Sequence, residues 1–210
     1  MSARPPRRRD AEATRARILA AAKSEFARLG LAGARVDVIA AKAEANKRMI
    51  YHYFGSKESL FTHVLEAAYL DIRAAERQLE LDSLPPRAAL EKLVQFTWNY
   101  YLDNPEFITL INSENLHRGR HFAQSTQVAR AADEFVDMVK RLLDRGAAEG
   151  VFRPGIDPIQ LNITIAAIGY YYLTNRFTGA IVFKRDFMTP EALDERAQIN
   201  MDTILRLVAV

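Results

Sequence analysis

The 210-residue chain contains no cysteine, which removes disulfides, zinc–thiolate sites and thiol nucleophiles from consideration. Glycine and proline are sparse, at nine and eight residues. With 49% hydrophobic residues, that composition excludes fibrous and disordered chains and implies one compact domain, or a small domain fused to a larger one. The four histidines are scattered, and no His-Glu-x-x-His, Gly-x-Ser-x-Gly, glycine-rich phosphate loop or dinucleotide fingerprint occurs. Catalysis therefore has no motif to rest on, and neither a resident metal nor a cofactor is expected. The apolar run from Ile18 to Ala22, behind a basic opening, is too short for a signal-peptide core, and the chain reads as cytoplasmic. One segment, "PIQLNITIAAIGYYYLTN" at 158–175, runs eighteen residues without a charge, close to the ~20 apolar residues of a membrane span. Gln160, Asn162, Thr164 and Asn175 make it too polar for lipid, so it reads as a buried helix shared with neighbours or a second subunit.

What the chain does have is a lopsided charge. Residues 1–60 carry 13 Lys and Arg against 6 Asp and Glu, a net of +7, whereas the remainder carries 16 against 20, a net of −4. Such a split suggests a polyanion-binding end joined to a body with a different task.

Apolar spacing predicts helices almost throughout. Residues 1–10, "MSARPPRRRD", form a basic arm, too polar and interrupted to fold alone and expected to be disordered. Ile18, Ala22, Phe26 and Leu29 then mark one face of a helix that stops at Gly30. "RVDVIAAKA" and "NKRMIYHYF" give two short helices joined by a tight turn, the arrangement of a helix-turn-helix. After Gly55, Ser56 caps a long helix over about 57–80. Further helices are expected at about 87–103, 106–118, 121–148, 158–180 and 190–208, with breaks at Asn104-Pro105, Gly119, "EGVFRPGID" and "MTP". No window alternates as a strand does. The expected fold is all-α with about nine helices: a helix-turn-helix domain at 11–56 and a larger helical body at 57–210.

The stretch "NKRMIYHYFGSKE", 46–58, places three aromatics, three Lys or Arg and a histidine in thirteen positions. In a helix-turn-helix the second helix offers its first residues to base edges while flanking groups grip phosphates. Asn46 would cap that helix, with Lys47 and Arg48 reaching guanine or phosphate. The tips of Tyr51, His52 and Tyr53 suit phosphate oxygens, and Lys57 opens a helix whose free N–H groups favour an anion. Phe54 reads as core. "RPPRRR" in the arm would reach a minor groove or act only as diffuse charge.

Residues 30–61, "GLAGARVDVIAAKAEANKRMIYHYFGSKESLF", resemble the DNA-binding region of the TetR family of transcriptional regulators, whose most recognisable signature is Tyr-x-Tyr-Phe, a short turn and Ser-Lys-Glu. The likeness is close over about 12–65. It implies a homodimer that binds a palindromic operator, usually as a repressor, and releases it when a small-molecule effector enters the C-terminal domain. By match to the motif, DNA contact is carried onto Arg35, Asn46, Lys47, Arg48, Tyr51, His52, Tyr53 and Lys57. Two positions depart from the family pattern: Ala34 stands where a capping Thr is common, at a cost of ~1 kcal/mol, and Glu44 stands where the turn usually has Gly.

For the effector, the resemblance points to the C-terminal helices. Phe96, Trp98, Tyr100, Tyr101 and Phe107 lie close together and suit either an apolar cavity or an ordinary core. Asn112, Asn115 and His117 add polar groups, and Tyr171 is a further candidate. Glu114, His117 and His121 fall at i, i+3 and i+7, a spacing that would suit a metal on one helical face. Gly119 between the histidines argues against it, and a polar network is the alternative. The family's last two long helices pair across a two-fold axis, a role that 158–175 and 191–208 match, setting the recognition helices about 34–36 Å apart.

Overall fold

The structure, a computed structural model, describes residues 6–210, with side chains from Asp10 onward. Residues 1–5 of the basic arm lie outside the described residues; over 6–10 the expectation of disorder is not met, because the backbone is already helical from Pro6. Ten helices follow among the described residues: α1 Pro6–Gly33, α2 Val36–Lys42, α3 Lys47–Phe54, α4 Lys57–Arg77, α5 Pro86–Asp103, α6 Pro105–Leu116, α7 Thr126–Ala148, α8 Pro158–Thr174, α9 Arg176–Val182 and α10 Pro190–Val208. No described residue is in a strand.

Differences from the sequence expectation lie at helix ends. Gly30 does not end α1 outright: it takes φ 66° and ψ 178°, a kink after which the chain turns helically again to Gly33. Phe122–Gln124 form a short 3-10 turn rather than part of the start of α7, which begins at Thr126. The segment 158–180 divides at Asn175, whose own N–H and side-chain amide both donate to Tyr171 O and close α8. That division makes ten helices instead of nine.

The chain forms two compact units. The first comprises the residues up to Tyr69 together with Thr109–Ser125; the second comprises Leu70–Ile108 and Thr126–Val210. Both α4 and α6 run through both units. In the first unit, Ile18, Ala22 and Phe26 of α1 are buried with Ile39 of α2, Ile50 and Phe54 of α3, and Leu60, Phe61 and Leu65 of α4. These spacings of three and four give each helix one apolar face, and burying such faces is the main stabilising contribution. Phe26 meets Phe61 edge-to-face at 5.1 Å, the geometry that ring quadrupoles prefer.

The second unit is built on α5, which packs against α7, α8 and α10. Its core runs through Leu90, Leu93, Val139, Leu142, Leu161 and Ile204. Arg145 of α7 donates to the carbonyls of Leu81, Asp82 and Leu84, satisfying the backbone of the loop that precedes α5. Gly146 gives Phe152 its place, since a Cβ there would lie 1.9 Å from the ring. No helix of the described residues is long and apolar enough to cross a membrane.

Candidate nucleic-acid interface

The turn between α2 and α3 is set from both sides. Glu44 N–H donates to Ala41 O and Ala45 N–H to Ala40 O, while Arg17 Nε of α1 reaches across to Ala43 O at 3.2 Å. Glu44 takes a positive φ of 50°, the conformation expected where this turn usually has glycine. Asn46 is the N-cap of α3, its Oδ1 accepting from Met49 N–H at 2.9 Å. Ile50 and Phe54 then point into the core. Lys47, Arg48, Tyr51 and His52, at i, i+1, i+4 and i+5, fall on the opposite face, and all four are exposed along with Asn46. One short helix thus presents two cations, a phenol and an imidazole to solvent while two apolar residues hold it down.

The remaining contacts carried over by motif are less free. Tyr53 is half-buried, edge-on to both His52 and Phe54. Lys57 Nζ donates to Ala32 O at 3.3 Å, which ties the start of α4 to the end of α1. Arg35 is the true N-cap position of α2, in place of the expected Ala34, and no side chain caps that helix. Ala34 is instead buried. The Arg35 guanidinium forms an exposed ion pair with Asp37 at 2.8 Å, and that hydrogen bond pushes the Asp37 carboxyl down. A phosphate would have to compete with Asp37 for Arg35, an exchange that an exposed pair permits because it is worth little in water.

Beneath this face lies a buried acid that the sequence did not single out. Glu25 of α1 is fully buried and accepts from Lys42 Nζ at 3.0 Å and Arg28 at 3.2 Å. Lys42's hydrogen bond holds its carboxyl below the usual range. The Lys42–Glu25 pair ties α2 to α1. The only sequence signal was an acid at the otherwise apolar position between Ala22 and Phe26.

Glu114 and His121 also belong to this unit. Glu114 Oε1 accepts from the backbone N–H of His121 and Phe122, and Oε2 lies 2.5 Å from His121 Nδ1. His121 and His117 both flank Phe61. Glu114 is therefore spent on closing the turn after α6, and among the described residues no group of three metal-ligating side chains occurs. The polar residues expected near an effector sit here as well: Asn112 is half-buried, Asn115 is exposed, and His117 Nδ1 pairs with Ser113 O.

In the second unit, Phe96, Tyr100, Phe107 and Tyr101 form a chain of ring contacts that ends at Tyr170, while Trp98 meets Tyr172 separately. Except for Phe96, the five are buried; Tyr171 is 67% exposed. Tyr100 donates its hydroxyl to Asp71 at 2.7 Å, and burial, with that carboxylate beside it, raises the phenol far above its ordinary value. A small pocket of about 60 Å³ lies elsewhere in this unit, between Arg73, Glu76 and Arg77 of α4 and Ala131, Glu134, Phe135 and Met138 of α7. Arg73 stacks its guanidinium 4.0 Å from the Phe135 ring centroid and stands 3.0 Å from Glu76. Burial pushes the Glu76 carboxyl up to about 8, with the charges of Arg73 and Arg77 opposing.

A capped, basic recognition helix behind a tight turn, joined to a second helical unit with its own core, defines a helix-turn-helix DNA-binding regulator. Residues 18–64 match the model of bacterial regulatory proteins of the tetR family, and residues 86–204 match a tetracyclin repressor-like C-terminal domain. The chain belongs to the TetR family of transcriptional regulators. It is 37% identical over 204 residues to the HTH-type transcriptional repressor NicS of Pseudomonas putida, covering 97% of this chain and 94% of that one. It is 36% identical over 160 residues to the HTH-type transcriptional repressor SCO4008 of Streptomyces coelicolor, covering 76% and 78%. The fold is shared with a tetR-family regulatory protein from Rhodococcus, at a TM-score of 0.72 and 22% identity over 93% of this chain and 97% of that one.

Proposed function

We propose that this regulator is a repressor that binds a palindromic operator as a homodimer and releases it when a small molecule enters the second unit. The observation that carries the reading is the α3 face: Lys47, Arg48, Tyr51 and His52 exposed together on a helix fixed by the Asn46 cap and the buried Ile50 and Phe54. Lys47 and Arg48 at the start of the helix reach base edges, and Tyr51, His52, Tyr53, Lys57 and Arg35 hold the backbone on either side. Repression is the role that the names of two relatives print. Ligand response is supported by Glu76, a carboxyl that burial pushes up to about 8 beside a small pocket, since strongly perturbed acids cluster at functional sites. A ligand that binds the released state ~100-fold better supplies about 2.7 kcal/mol per site. Helix α4, which carries Lys57 at one end and Glu76 near the other, is the lever.

The test is selection of bound fragments from random DNA at physiological salt with the wild type, Lys47→Ala and Tyr51→Ala. One enriched palindrome, lost in both variants, is the expected result. Enrichment unchanged by both substitutions removes α3 from the interface, and an enriched motif without two-fold symmetry removes the dimer.

A further inference from the structure

Eleven of the fifteen exposed large apolar side chains among the described residues lie within 159–210, so the unsatisfied apolar surface of this chain is concentrated on α8, α9 and α10. Within that surface α9 is a projection. Phe177 and Ile181, at i and i+4, are 71% and 78% exposed. They are turned out because Gly179 seats α9 directly on the Phe187 ring; a Cβ at Gly179 would lie 2.5 Å from it.

The same surface holds a depression. A cleft of about 380 Å³ opens between α8 and α10, walled by Tyr171, Tyr172, Phe183, Phe187 and Ile199, with Arg185 paired to Glu195 at its side. Its walls are fixed in advance. Tyr172 and Phe187 stack at 4.6 Å, Tyr172 donates its hydroxyl to Phe187 O at 3.0 Å, and Arg196 lies over the Tyr172 ring while donating to Ile168 O. A preformed apolar cleft costs little ordering entropy to fill.

We infer that α9 of one protomer, through Phe177 and Ile181, fills the Tyr172–Phe187 cleft of its partner. The inference rests on the homodimer proposed above and says what completes it. A two-fold interface must be self-complementary, so a projection and a depression on one patch are what it requires. Tyr171 and Ile199 belong both to the cleft and to the exposed apolar faces of α8 and α10, so pairing through those helices brings apolar surface of a second copy over the cleft. Three of these eleven side chains are aromatic, at ~150–250 Å² each when fully covered, and the rest are smaller; covering the exposed part of all of them withdraws on the order of 1,000 Å² per protomer. That is comparable with the ~800 Å² per partner of a standard stable interface.

The absence of native cysteine makes the test clean. Phe177→Cys and Ile199→Cys are introduced singly and together, oxidised, and run without reductant, alongside sedimentation of the wild type at micromolar concentration. The expected result is a wild-type dimer, a covalent dimer for the double variant, and little cross-linking for either single variant. A dimeric wild type whose double variant cross-links no better than the singles overturns the exchange of α9 while leaving the dimer standing. Efficient cross-linking of Phe177→Cys alone also overturns it, since α9 would then meet its own copy at the axis. A monomeric wild type refutes the homodimer itself. As a second readout, Phe177→Asp with Ile181→Asp is expected to raise the dimer dissociation constant at least tenfold, and an unchanged constant counts against the proposal.

Discussion

Glu76→Gln isolates the energetic cost of a single buried acid. Glu76 is 2% exposed, and its Oε2 accepts no hydrogen bond although Arg73 Nε stands 3.0 Å away. Desolvation therefore outweighs the neighbouring guanidinium charges and raises the carboxyl from 4.5 to about 8. Below about pH 4.5 the group is protonated in both folded and unfolded chains. Between about 4.5 and 8 the folded chain holds a proton that the unfolded chain has lost, so stability falls as pH rises, and above about 8 the loss is complete. Each unit of pH in that window costs ~1.4 kcal/mol, with a ceiling of about 5 kcal/mol across it. Glutamine has nearly the same shape and does not titrate. The assay is urea unfolding of both proteins at one fixed protomer concentration between about pH 5 and pH 8.5, taking the difference so that titration of the histidines cancels. The two are expected to be nearly equal at pH 5, with the variant about 2–4 kcal/mol more stable at pH 8. Parallel curves, with the variant less stable throughout by about 3–5 kcal/mol, would show that Glu76 is ionised against Arg73 and refute the reasoning.

Two further substitutions probe the fold around the functional parts. Gly146→Ala places a Cβ within 1.9 Å of the buried Phe152 ring, and forced overpacking of this kind costs about 1–3 kcal/mol; a melting temperature equal to wild type would show that Phe152 has room to move. Glu44→Gly relieves a non-glycine residue at φ 50°, and since the left-handed region costs an L residue about 1–2 kcal/mol, offset by the glycine's own entropy, a gain of up to about 1 kcal/mol is expected in denaturant titration. Operator affinity of that variant should hold or rise, because one negative charge leaves the basic end; a tenfold loss would instead give the Glu44 side chain a part in recognition.

The recognition helix was legible in the sequence because everything that makes it work is local. The cap at Asn46, the core positions Ile50 and Phe54 and the exposed Lys47, Arg48, Tyr51 and His52 are decided within nine residues by helical spacing alone. Where a break lacked glycine or proline, as at Asn175, the boundary between α8 and α9 was invisible. The ligand candidates fared differently for a related reason. Asn112, Asn115 and His117 stand out in the sequence as polar groups gathered on one short helix, and α6 carries them into the first unit, where neighbouring Glu114 closes a turn. The strongly raised carboxyl of Glu76 in the second unit depends on α7 delivering Phe135 and Met138 against α4 from some sixty residues away. Its own sequence surroundings, "RAAERQ", look like any exposed helix. DNA contact needs a helix pointing outward, which a sequence period encodes directly. A ligand cavity needs several helices to leave something unfilled between them, and no single period contains that information.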